Sequence, residues 1–173
     1  MRSLLMMATL LLSQGQAAKL AVPSQAEQKG NEKTIRDLLK DAYSRRDQNS
    51  RRVLAKTLAQ TAEKEKEAAL AFSFFREASD VAGDAMDFET ATAAIERLEA
   101  LYQVEPESPL TGAAFSTYYP LRVQLLRRTQ KAVRSTEDAA SYIKAALRLA
   151  DLLGSKDGFD DGFAVCQLAA TVA

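Results

Sequence analysis

Asp157-Gly158-Phe159-Asp160-Asp161-Gly162 carries three aspartates in six residues. Acids spaced this closely invite a calcium reading, because Ca²⁺ takes carboxylate oxygens. An EF-hand loop needs acids at positions 1, 3 and 5, glycine at 6 and glutamate at 12. Counted from Asp157, position 3 is Phe159 and position 12 is Leu168, so the pattern fails. The same acids suit the first turn of a helix, where the macrodipole favours negative charge. Cys166 is the one cysteine, and the chain has no histidine to activate it as a nucleophile. It reads as a core residue. Gly83, in Gly-Asp-Ala-Met-Asp-Phe, belongs to neither a Walker A nor a dinucleotide-binding glycine pattern. A glycine after the last apolar residue of a helix reads instead as a C-terminal cap.

Two further groups could contact a partner. Arg45, Arg46, Arg51, Arg52, Arg127 and Arg128 form the basic clusters. With acids close by they read as solvated, ion-paired faces; gathered on one face they would read as a polyanion site. The aromatic concentrations are Phe72, Phe74 and Phe75, then Phe115, Tyr118 and Tyr119. Phe72 and Phe75 fit a core stripe. Phe74, Tyr118 and Tyr119 are the candidate lining of a groove, since tyrosine offers apolar area with a polar tip.

Composition narrows the chemistry. Basic and acidic residues balance at 23 each, and histidine and tryptophan are absent. The commonest general base and metal ligand is therefore missing, no residue pattern implies a cofactor or a metal, and the charge gives no reason for a nucleic-acid partner. No carboxylate pair is marked out for acid–base catalysis.

Residues 1–17, MRSLLMMATLLLSQGQA, have the layout of a secretory signal peptide. Arg2 is the basic start, Leu4–Leu12 the nine-residue apolar run and Gly15-Gln16-Ala17 the small-x-small cleavage site. A bilayer span takes about 20 apolar residues, so no membrane span is expected once the leader is removed. Cleavage after Ala17 takes away Arg2 and leaves 22 basic against 23 acidic residues in a single domain, 18–173. The expected location is periplasmic or extracellular.

The elements that must position any site all read as helices. Ser24 and Glu27 have capping-box spacing, as do Ser135 and Asp138. Ile35, Leu38, Leu39, Ala42 and Tyr43 follow a three–four rhythm, and Val53, Leu54, Leu58 and Ala62 a second one. Glu63-Lys64-Glu65-Lys66-Glu67 interrupts the apolar stripe and predicts a break. Phe88, Ala91, Ile95, Leu98 and Tyr102 form the next stripe, stopping before Pro106. Ser108 and Pro109 are placed to open a helix from about 110 to 133, with a bend near Tyr119 because Pro120 falls inside it. Ile143, Leu147, Ala150 and Leu153 mark a sixth helix, and a seventh runs from about Phe159. No stretch alternates like a strand. The expectation is all-α, about seven helices in antiparallel pairs.

The stretch SDVAGDAMDF at 79–88 recurs as ADLLGSKDGF at 150–159, an offset of 71 residues. Asp80, Gly83 and Phe88 fall on Asp151, Gly154 and Phe159, and Ile95 falls on Cys166. That offset is about twice the ~34-residue period of a helix–turn–helix repeat. The pattern Ala78–Asp80–Gly83–Asp87–Phe88–Ala91, between Arg76-Glu77 and Ile95-Glu96-Arg97-Leu98, resembles tetratricopeptide-like repeats. With its leader, the layout resembles exported helical-repeat proteins of planctomycete-type bacteria. The resemblance implies a short superhelix and a non-enzymatic protein- or peptide-binding or scaffolding role. The alternatives are a periplasmic enzyme and a polyanion or envelope-surface binder.

Overall fold

A computed structural model of the chain describes residues 18–104 and 119–173. The leader, the Ser108–Pro109 start and Tyr118 lie outside the described residues. Within them the fold is all-α, with eight α-helices and one 3-10 turn.

Helix α1 spans Gln25–Leu38. Both halves of its capping box are made: the Glu27 amide donates to Ser24 Oγ at 3.3 Å, and the Ser24 amide to Glu27 Oε2 at 2.9 Å. After Leu39 the chain turns into the short α2, Lys40–Ser44. Asp47 caps α3, Gln48–Lys64, taking the Ser50 amide at 2.8 Å. The charged run then ends α3, as its lack of an apolar face predicts. Glu65 folds back to accept the Lys66 and Glu67 amides at 2.7 and 3.0 Å, and α4 begins at Ala68.

Helix α4, Ala68–Asp84, is the centre of the molecule, with α1, α3, α5 and α6 all packed on it. It is therefore buried nearly all round. Phe72, Phe74, Phe75, Ala78, Val81 and Ala82 are at most 4 % exposed. Phe74 thus belongs to the core and not to a groove. The clefts beside α4 are lined by other residues of the helix, Arg76 and Asp80 among them.

The end of α4 meets the beginning of α3, where Gln48 Nε2 donates to the Ala85 carbonyl at 3.0 Å and Arg51 pairs with Asp84 at 3.0 Å. The end of α5, Phe88–Leu101, meets the start of α4, where the Tyr102 hydroxyl donates to the Ala68 carbonyl at 2.7 Å. Each of these neighbours is antiparallel to α4. Helix α6, Pro120–Thr129, runs into a 3-10 turn at Gln130–Ala132. Pro120 stands at its first turn, where a missing amide costs nothing. Pro120 starts α6 with Tyr119 just outside it, and the part of the expected 110–133 helix before Tyr119 lies outside the described residues. Ser135 and Asp138 form the second capping box, at 3.1 and 3.2 Å, and open α7, Thr136–Gly154; α8, Phe159–Ala170, packs back on it.

The repeated stretch forms the same corner twice. Asp87 N donates to the Ala82 carbonyl and Gly158 N to the Leu153 carbonyl, both at 2.9 Å. The left-handed residue is Met86 in one corner (φ 53°) and Asp157 in the other (φ 59°). All three equivalences keep the offset of 71. Neither glycine holds the left-handed position, so the expected capping role for Gly83 is corrected. Gly83 sits in the last turn of α4 because α6 leaves no room for a side chain. A Cβ there would lie 2.6 Å from Leu125 Cδ1 and 3.2 Å from Thr129 Cγ2. Gly154 has nothing within 4 Å of that position.

The extended segment before α1 is tied to the end of α5. Leu20 N donates to the Leu101 carbonyl and Gln103 N to the Leu20 carbonyl, each at 2.8 Å. Lys19 Nζ reaches the Glu99 carbonyl at 2.5 Å.

Candidate functional site

Few of the residues singled out above meet. Tyr119 is half-buried and left-handed (φ 54°), and its ring lies under the Arg122 guanidinium, 4.8 Å from carbon to centroid. Phe74, in the core, is remote in role from it. Cys166 is only half-buried, although its repeat counterpart Ile95 is 2 % exposed. Asp160 and Asp161 occupy the first turn of α8. Among the described residues no group of three or more histidine, cysteine, aspartate or glutamate side chains is placed to hold a metal ion.

The arginine clusters separate. Arg51 is held by Asp84, and Arg128 by Asp80. Arg127 and Arg128 line a cleft beside α4 and α5, whereas Arg52 lines a different one.

Two ion-pair groups clamp helices together. Glu77, on α4, is 4 % exposed. It accepts from the Tyr43 hydroxyl at 2.6 Å and from Arg36 Nη2 at 3.3 Å, which binds α1 and α2 to the centre. Burial, then the hydrogen bond to Glu77, pushes the Tyr43 hydroxyl far above its usual range. On α5, Glu99 Oε2 takes Arg122 Nη2 at 2.9 Å, and Glu96 lies 3.4 Å from Arg122 Nη1. This ties α6 to α5. Burial raises the Glu99 carboxyl despite the opposing pull of Arg122, and its Oε1 is buried without a hydrogen-bond partner. Both groups have charge facing charge across a helix contact, so both read as structural.

A cleft of about 700 Å³ has α3 and α5 on one side, α7 on the other and α6 at its base. Its size falls within the ~300–1,000 Å³ of ligand sites. Phe88, one of its lining residues, meets the fully buried Tyr142 ring edge to ring face, 5.8 Å apart. Leu125, Leu126, Leu149 and Leu152 supply apolar side chains, and Ala93 and Ala145 leave it open by their size. Five basic side chains against three acidic ones line it. Asp87 is engaged as the N-cap of α5 and Glu96 by Arg122. Arg52, Lys56, Lys144 and Arg148 have no hydrogen-bond or salt-bridge partner among the described residues. Sequence reasoning passed over three of these four, because they sit singly on α3 and α7 and form no local cluster.

No protein-family model, no curated protein and no solved structure matches the chain. The cleft combines apolar side chains from α6 and α7 with basic side chains from α3 and α7. Among the described residues the one carboxylate with a raised pKa, Glu99, is locked against Arg122 and does not line this cleft.

Proposed function

We propose that the chain is an exported, non-enzymatic helical-repeat module that binds a peptide or protein segment in the cleft between α5 and α7. The observation that carries this reading is the cleft itself, open between two helix pairs whose corners are copies of one another. Helix pairs related by a repeat stack through neighbour contacts and create extended concave surfaces, which is how such proteins bind. A short tetratricopeptide-like superhelix is the arrangement proposed for the stack. Export follows from the leader pattern of residues 1–17 and puts the partner in the periplasm or outside the cell. The role is scaffolding or capture, since the charged groups with close partners hold helices together.

Site-directed photocross-linking tests the binding. A photoreactive side chain at Ala93, inside the cleft, should capture peptide segments from an exported-protein fraction; the same group at Val53, exposed elsewhere on α3, should not. Equal capture at both positions would refute a specific cleft. Export is read separately by mass spectrometry of the secreted chain, which should begin at Ala18.

A further inference from the structure

The two walls of the α5–α7 cleft carry like charge, and that charge is unspent. Arg52 and Lys56 project from α3 on one side, Lys144 and Arg148 from α7 on the other. The fifth basic side chain of the cleft, Arg122, is neutralised by Glu96 and Glu99, and outside the cleft Arg36, Arg51, Arg97 and Arg128 are each neutralised by a carboxylate within 4 Å. The only acid of the cleft left without a partner among the described residues is Glu89, on α5. Four cations held apart across a concave surface repel one another, and a ligand that neutralises them relieves that repulsion.

We infer that the ligand of this cleft is an acidic peptide segment, with carboxylates clamped between the α3 pair and the α7 pair. This rests on the peptide-binding reading above and specifies it. A bare polyanion would satisfy the four cations but leave the apolar part of the site unused. Leu152, 36 % exposed, and the small Ala93 and Ala145 give a peptide somewhere to set leucine-like side chains. Carboxylates alternating with apolar residues match both features. Charge complementarity of this kind governs association rate and partner choice more than bulk affinity, so binding should weaken steeply with salt.

Fluorescence anisotropy with the purified chain tests the assignment. The probe is a labelled twelve-residue peptide with leucine at every fourth position and glutamate between; controls replace glutamate with glutamine or with lysine. The glutamate peptide should bind about tenfold more tightly than the glutamine peptide, which corresponds to two rim charge pairs, and the lysine peptide should not bind. The double variant Lys56→Gln/Lys144→Gln should lower that affinity about tenfold, since each change removes a rim charge from one wall. Arg128→Gln, in the other cleft, should leave it unchanged. Equal binding of the glutamate and glutamine peptides overturns the acidic preference while leaving peptide binding intact. Binding indifferent to the double variant overturns the location. Binding of none of the peptides overturns both this inference and the peptide reading beneath it. Polyphosphate binding where the glutamate peptide does not bind overturns the peptide in favour of a polyanion.

Discussion

Tyr142 on α7 meets Phe88 on α5 edge-on, with 81° between the rings, while its hydroxyl donates to the Leu126 carbonyl of α6 at 3.1 Å. One fully buried side chain thus joins three helices. Removing only the hydroxyl, Tyr142→Phe, should cost about 1 kcal/mol, the net worth of a buried hydrogen bond. Tyr142→Ala also opens a cavity and should cost about 3–5 kcal/mol. Urea denaturation of the two variants separates the contributions.

The same residue gives an alkaline signature. Burial pushes its hydroxyl up to about 12, above the ordinary value of about 10. The native state therefore favours the protonated phenol. That stability is complete below about pH 10 and is lost as pH rises through about 12. The stability difference between the native chain and Tyr142→Phe should accordingly shrink or reverse between pH 9 and 12. A constant difference over that range would show that the hydroxyl ionises without unfolding pressure.

At the acid end the carboxylates at helix starts decide. Hydrogen bonds from Ser50 hold Asp47 below its usual range; Asp138 is opposed by burial but held low by Ser135, Arg134 and Gln48. Stability from these groups is present above about pH 4 and is lost as pH falls through their lowered values. Glu99 runs the other way, since its raised value favours the protonated form, and it loses stability as pH climbs through that value. Ser135→Ala should cost about 1 kcal/mol and flatten the acid limb of the pH–stability curve. Guanidinium titrations from pH 3 to pH 7 read both effects.

The two glycines of the repeated corner should respond oppositely to one substitution. Gly83→Ala forces Leu125 and Thr129 aside and should destabilise by about 1–2 kcal/mol, the usual size of overpacking. Gly154→Ala meets open space in a helical conformation and should stabilise by about 0.4–1 kcal/mol through the unfolded chain. Thermal melts of both variants give the two signs.

How much of this was legible depended on the range of the interactions. Both capping boxes, the break after Lys64 and the doubled corner are set by residues a few positions apart, so the sequence carries them openly. The all-round burial of α4 is set by four other helices. No local pattern distinguishes Phe74, which faces one of them, from an exposed aromatic. Val53 and Leu147 continue apolar rhythms yet are 65 % and 50 % exposed, because the stripes that pack in α3 and α7 run through Leu54 and Leu58, and through Tyr142, Ala146, Leu149 and Leu153. The Glu77 clamp and the four cleft cations join residues from distant parts of the chain, and only the packing of helices reveals them.

Phe88 and Phe159 hold the same place in the two corners, but the first is 6 % exposed and the second 67 %. Phe163, one turn further along α8, is 65 % exposed. On α1, by contrast, the side chains open to water include Lys33, Thr34 and Asp37, with Leu38 the exception. The assembly of helices therefore has a direction. Another pair added against α8 would cover surface that already behaves like a seam, whereas one added against α1 would trap charge. Lengthening such a protein, by evolution or by design, is a one-sided operation.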